Sequence, residues 1–152
     1  MSIDAREAVA SARRAKSRTA VSRLDYLREL RRLAGSLTQV ELARNLGVSQ
    51  PTISDSLKTA AKVAEPRAGF SGADPYEIVQ RYAAGDLSRE QVVDELARWE
   101  YRPWAPTDGY DWTTGDEGEW EETVGRALEE GLLDDETYTA IQQRVHSLRA
   151  AS

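Results

Sequence analysis

The sequence predicts an all-α fold in two helical parts, and three observations carry that expectation. No proline or glycine interrupts residues 3–34, where Val21, Leu24, Leu27 and Leu30 recur at helical spacing among Ala, Arg and Glu. Glycine followed within three residues by Ser, Thr or Asp recurs at Gly35, Gly47, Gly85 and Gly131, the punctuation of one helix ending and the next beginning. No segment alternates apolar and polar residues for long enough to read as a strand.

The elements follow in order. A leading helix covers residues 4–34 and stops at Gly35, the position favoured after a C-cap. Its second half has a burying face. Its first half offers only small apolar residues and the basic run Arg13, Arg14, Lys16 and Arg18, an arm that extends the helix or frays and that is open to further phosphate contacts. Thr38-Gln39-Val40-Glu41 is a capping box, so a short helix follows over residues 39–45 with Val40, Ala43 and Leu46 as its inward positions. Gly47 supplies a tight turn, Ser49 caps the next helix, and Pro51 sits in its first turn, where a missing amide hydrogen costs nothing. That helix runs through Ile53 and Leu57 into Ala61 and Val63.

Residues 65–74, with one proline and two glycines, read as a linker. Asp74-Pro75 then opens a helix carrying Tyr76, Ile78, Val79 and Tyr82. Ser88 caps another, lined by Val92, Val93, Leu96 and Trp99. Residues 102–119 form a long irregular loop holding Trp104, Tyr110 and Trp112, and helices over 120–130 and 135–149 close the chain. Two corners share one pattern, Gly85-Asp86-Leu87-Ser88 and Gly131-Leu132-Leu133-Asp134: glycine ends a helix, leucine fills the corner, and Ser or Asp caps the next. The expected boundaries are 1–64 for the first domain, 65–74 for the linker and 75–152 for the second.

Charge divides the chain in the same way. Residues 1–69 hold 13 Lys/Arg against 7 Asp/Glu, and residues 70–152 hold 7 against 19. An anionic partner suits the first part and a basic one the second. The chain has no cysteine, which excludes disulfides, thiolate chemistry and cysteine-based zinc sites. No run is apolar enough for a membrane span or a secretory signal, so a cytoplasmic protein is expected. One histidine, His146, leaves no nucleophile–base pair. The acidic group Asp108, Asp111, Asp116, Glu117 and Glu119 lacks the spacing of a calcium loop. No enzyme activity, catalytic residue, metal or cofactor is therefore expected.

The segment 39–58 carries the most specific pattern. Ala43 is small where two helices cross, Gly47 makes the turn between them, and Leu42, Leu46, Val48, Ile53 and Leu57 are apolar where the pair would lie on the preceding helix. This segment resembles the helix-turn-helix of phage-repressor and xenobiotic-response-element regulators. That makes the fold an N-terminal helix-turn-helix domain with a long leading helix, plus a small acidic helical domain. The resemblance implies that Gln39 and Gln50 hydrogen-bond DNA together. A recognition helix enters the major groove by its first residues, here Ser49, Gln50, Pro51 and Thr52, then Ser54, Asp55 and Lys58. The amides of the helix beginning at Thr38 suit a phosphate, and Arg44 and Lys58 suit charged phosphate contacts. Gln pairs with adenine and Thr touches the thymine methyl, while Asp55 accepts from cytosine or repels the backbone.

The acidic part has no comparable motif. Trp99, Tyr101, Trp104, Tyr110, Trp112 and Trp120 either pin the loop onto a helical core or form a docking surface, since Trp and Tyr anchor interfaces. Two functional readings follow. One is a repressor-like transcriptional regulator acting on double-stranded DNA as a homodimer. The other, by resemblance of layout, is an antitoxin whose acidic part neutralises a basic toxin while the first part regulates its own operon.

Overall fold

The computed structural model describes residues 1–103 and 118–151. Among the described residues it is helical with no strand: α1 (Ile3–Leu33), α2 (Gln39–Leu46), α3 (Gln50–Ala60), α4 (Pro75–Ala84), α5 (Arg89–Arg98), α6 (Arg126–Glu129) and α7 (Asp135–Ala150). The all-α expectation holds. A π-helical turn, Glu121–Gly125, runs directly into α6. Nothing in the apolar spacing of that stretch calls for the wider turn, though Gly125, a weak helix former, lies in it. No described helix is long and apolar enough to cross a membrane.

The chain forms two compact units: Thr19–Glu65, and Met1–Arg18 together with Pro66–Ser152. Residues 1–18 thus group with the acidic part, whereas sequence reasoning assigns them to the first domain. Local contacts explain the grouping. Arg18 Nε donates to the Ala84 carbonyl at 3.3 Å, and the Arg13 guanidinium lies where a side chain on Gly131 would sit.

The core of Thr19–Glu65 is small: Leu30 from α1, Leu42 and Ala43 from α2, and Ile53 from α3, flanked by half-buried Tyr26, Leu37 and Leu57. Two sequence expectations need correction here. Val40 is 56% exposed and Leu46 and Val48 are exposed as well, so α2 buries a single face through Leu42 and Ala43. Helical periodicity ranks positions around a helix, but only the neighbouring helices decide which stripe is covered, and this unit has few of them. Gly35 also differs from its expected role, because it does not adopt a positive φ. The chain leaves α1 through tight turns, with Ser36 and Leu37 amides donating to the Leu33 carbonyl.

The larger unit buries Ile78 and Val79 of α4, Val92 and Leu96 of α5, Trp99, Val124, Ala127, Leu133 and Ile141. Its two corners follow one design. Gly85 (φ 93°) and Gly131 (φ 77°) turn left-handed. The next amide then reaches back across the helix end, Asp86 to the Arg81 carbonyl at 2.8 Å and Leu132 to the Ala127 carbonyl at 2.9 Å. Ser88 accepts from the Gln91 amide and Asp134 from the Thr137 amide, which starts α5 and α7. Leu133 is buried at one corner and Leu87 packs against the core at the other.

The segment expected as a linker is fastened to this unit by two buried carboxylates. Glu95 accepts from both the amide and the hydroxyl of Ser71, and Glu77 accepts from the Ala73 amide at 3.1 Å while pairing with Arg81 at 2.9 Å. Gly72 is required, since a Cβ there would stand 2.9 Å from the Glu77 Cβ.

Gly131→Ala should destabilise the protein by about 1–2 kcal/mol, because alanine in the left-handed region is strained and its methyl meets Arg13. Urea unfolding of the full chain measures this, and an unchanged midpoint would refute it. A pH effect follows at Glu130. Hydrogen bonds from the Tyr76 hydroxyl and then Arg126 hold its carboxyl below the ordinary range, and Tyr76 in turn is pushed up to about 12 by burial and by Glu130. A depressed carboxylate adds stability above its unfolded pKa and loses it as the pH falls through the folded value. The stability gap between wild type and Glu130→Gln should be greatest near neutrality and close below about pH 4. A gap that widens on acidification would contradict this assignment.

Candidate nucleic-acid interface

The capping box begins the site. Thr38 Oγ1 accepts from the Glu41 amide at 3.1 Å and donates to the Glu41 carboxylate at 3.0 Å, which also takes the Thr38 amide. Thr38 is therefore spent on the cap, and the amides left at this end are those of Gln39 and Val40. Asn45 donates to the Glu41 carbonyl at 2.7 Å. Gly47 (φ 71°) ends α2 in the left-handed region, with the Val48 amide returning to the Ala43 carbonyl at 3.0 Å. Ser49 then caps α3. Its hydroxyl accepts from the Thr52 amide at 3.3 Å and bonds the Thr52 hydroxyl at 2.8 Å, with Pro51 in the first turn.

Burial separates the two sides of α3. Ile53 is fully buried against Leu30 and Leu42, and Ser56 and Ala60 are also covered. Ser49, Gln50, Pro51, Thr52, Asp55 and Lys58 are exposed, as are Thr38 and Arg44, while Gln39 and Ser54 are half-buried. Among the described residues no hydrogen bond or ion pair engages the side chains of Gln39, Arg44, Gln50, Asp55 or Lys58. Gln39 and Gln50 do not bond each other, and both amides are free for an outside partner. Lys62, exposed one turn beyond Lys58, is a further uncommitted cation that sequence reasoning did not single out.

The far end of α3 is held by residues that reasoning from the motif also missed. Arg28, only 3% exposed, donates through Nε and Nη2 to the Ala64 carbonyl at 3.1 and 2.8 Å. Arg31 donates to the carbonyls of Ala60 and Val63 and pairs with Glu65, which Arg32 also reaches at 3.2 Å. The Arg31 hydrogen bond, then the charges of Arg32 and Arg31, keep the Glu65 carboxyl below its ordinary range. Cations at a helix C-terminus satisfy its orphan carbonyls and oppose its dipole. A signal exists in the sequence: Arg28 and Arg31 continue, at four and seven residues, the stripe that passes through Leu24.

The aromatic residues proposed for partner binding lie elsewhere. Trp99 is buried and donates from Nε1 to Glu119 at 3.1 Å; Tyr101 donates to the Leu96 carbonyl at 2.6 Å; Trp120 donates to the Tyr138 hydroxyl at 3.1 Å. Tyr101 and Trp120 meet edge to face with centroids 4.9 Å apart. These three have their polar tips satisfied within the unit and pack in or against its core. Trp104, Tyr110 and Trp112, with Asp108, Asp111, Asp116 and Glu117, lie outside the described residues.

Arg28→Ala removes a buried side chain together with its two charged hydrogen bonds to the Ala64 carbonyl, and should cost about 1–3 kcal/mol. Exposed Arg32→Ala should stay within about 0.5 kcal/mol. Thermal unfolding of both variants tests the clamp, and equal midpoints would dismiss it. No protein-family model, curated protein or solved structure matches the chain.

Proposed function

We propose that this protein is a sequence-specific, repressor-like DNA-binding regulator that enters the major groove with the N-terminal end of α3, two copies reading paired half-sites. The observation that carries the reading is the outward side of α3. Gln50, Asp55 and Lys58 are exposed, their tips free among the described residues, beside Thr52, whose hydroxyl is taken by Ser49. The helix is capped at one end by Ser49 and held at the other by Arg31 at Ala60, with Arg28 fastening Ala64 just beyond. Side chains that are held at the backbone but uncommitted at their tips are what base edges require.

The magnitudes shape the mode of binding. Thr19–Glu65 holds 7 Lys/Arg and 5 Asp/Glu, and Arg28, Arg31 and Arg32 are already engaged within the unit. Of the other four cations Arg23 lies on α1, and Arg44, Lys58 and Lys62, on or just after α2 and α3, are the three assigned to phosphates. At about −0.9 in the salt slope for each neutralised phosphate, three contacts give about −3 per copy. Such weak backbone attraction favours a dimer, whose paired helices reach half-sites one helical turn apart.

Selection of duplexes from a random pool by the full chain, followed by anisotropy titrations, tests the reading. Gln50→Ala should lose about 1–3 kcal/mol of discrimination at one base pair. Lys58→Ala should weaken selected and random duplexes alike and flatten the salt slope by about one. Equal loss on both duplexes for Gln50→Ala would sink the base-reading role, and a pool that yields no preferred sequence would sink the proposal.

A further inference from the structure

In the larger unit a cavity of about 710 Å³ opens between the segment after α3, the end of α5 and α7. Its walls include Arg67 and Phe70 from the first, Arg98 and Trp99 from the second, and Val145 and Arg149 from the third. The aromatic residues and two of the arginines form a ladder. The Arg67 guanidinium lies over the Trp99 ring at 4.7 Å, Trp99 meets Phe70 edge to face at 4.9 Å, and Arg98 lies over Phe70 at 4.7 Å.

The ladder is fixed by the backbone beneath it. Gly69 turns left-handed (φ 85°), the Phe70 amide donates to the Arg67 carbonyl at 2.9 Å, and Arg98 Nη2 donates to the Gly69 carbonyl at 3.2 Å. Glu95 holds the neighbouring Ser71 by amide and hydroxyl. Stacked guanidinium groups of this kind have already lost much of their rotamer freedom, and that loss otherwise opposes ligand capture.

Charge makes the cavity unusual for its surroundings. Residues 66–152 contain 8 arginines, no lysine and 19 carboxylates. Among the described residues three of those arginines line this one cavity, beside the carboxylate of Glu100. Asp94, which pairs with Arg98 at 2.9 Å, is not part of the lining. Arg67 has no ion pair among the described residues.

We propose that this cavity binds a small organic anion, a carboxylate or phosphate ester carried on a flat apolar body. The forked N–H groups of arginine match the paired oxygens of either group, and Trp99, Phe70 and Val145 supply apolar contact for the body. The volume suits a ligand of that size. The site is built from residues of the larger unit alone and is independent of the DNA-binding reading.

Titration of the full-length, nitrogen-15-labelled protein tests it, with naphthalene-2-carboxylate, 2-naphthyl phosphate, neutral naphthalene-2-methanol and inorganic phosphate as probes. At least one naphthyl anion should bind saturably, shift the Trp99 indole and Arg67 side-chain signals, and bind at least about tenfold more tightly than the alcohol or inorganic phosphate. Whichever anion binds better identifies the headgroup. Arg67→Gln/Arg149→Gln should raise its Kd at least about tenfold with the circular dichroism and melting curve unchanged, and Arg144→Gln, outside the cavity, should leave it as it is. The proposal is overturned if the alcohol or inorganic phosphate binds as tightly as the naphthyl anions. It is equally overturned if the double variant binds like wild type, or if neither naphthyl anion saturates by about 10 mM.

Discussion

Two arginines of α1 grip the chain as it leaves α3, Arg31 at the carbonyls of Ala60 and Val63 and Arg28 at that of Ala64, and the smaller unit is arranged around that grip. Its buried apolar cluster is Leu30, Leu42, Ala43 and Ile53, with Val21, Leu27 and Ala60 buried besides. Each large member contributes about 1.5–3 kcal/mol by burial, so the cluster alone sets against chain entropy a sum of no great size. A hydrogen bond from a charged donor is worth about 1.5–3 kcal/mol, comparable with one buried leucine. Arg28 and Arg31 thus add a second, polar fastening of similar weight to the apolar one. The two act at different places. The apolar cluster stops α3 from lifting away from α1 and α2, and the arginines limit its rocking about that contact. The proposed base recognition would need both, because a tilt of a few degrees at one end moves the side chains at the other by more than a hydrogen bond tolerates.

What the sequence discloses follows from the range of each interaction. Caps and turns are local, and most of those that rest on adjacent residues were legible, the turn at Gly35 excepted: the Thr38–Glu41 box, left-handed Gly47, Gly85 and Gly131, and the caps at Ser49, Ser88 and Asp134. So was the exposure of Gln50 and Lys58, since a helix with Ile53 buried must turn them outward. Burial of α2 was not legible at Val40, Leu46 and Val48, because a motif read in isolation does not reveal how many helices surround it. The fastening of Ser71 by Glu95, 24 residues away, likewise lies beyond any local pattern, and glycine and proline show only that residues 65–74 are not helical. Trp99, Tyr101 and Trp120 looked equally suited to a core or a surface; their hydrogen bonds to Glu119, Leu96 and Tyr138 are long-range facts that only the fold supplies.

Charge counted by halves of the chain misleads for the same reason. Residues 1–18 contribute to the basic balance of the first part, yet they belong to the unit with the acidic part. Arg18 there satisfies the Ala84 carbonyl at the end of α4, and the charge of Lys16 acts on Glu130. Charges in a fold are first used to settle helix ends and neighbouring carboxylates, and only the remainder faces a partner. For Thr19–Glu65 the remainder is Arg23 on α1, Arg44 on α2, Lys58 on α3 and Lys62 just after it. In the DNA-binding role proposed above, long-range attraction would be modest and the burden of recognition would fall on base edges more than on phosphates.

Asp55 sharpens that point. It is exposed on α3, near Lys58 on the helix surface, and it makes no ion pair among the described residues. A carboxylate on a groove-facing helix is repelled by every phosphate, so it lowers affinity for all sequences at once. It recovers that loss only where a donor stands opposite, and in the major groove the cytosine amino group is such a donor. The penalty is uniform and the reward is local, which widens the gap between a correct site and a random one even as both bind less tightly. With few free cations and no arginine on α3, the same arrangement gains more from discrimination than from strength. A repressor that must ignore a large excess of random duplex benefits from that balance, provided a second copy restores affinity at the paired half-site.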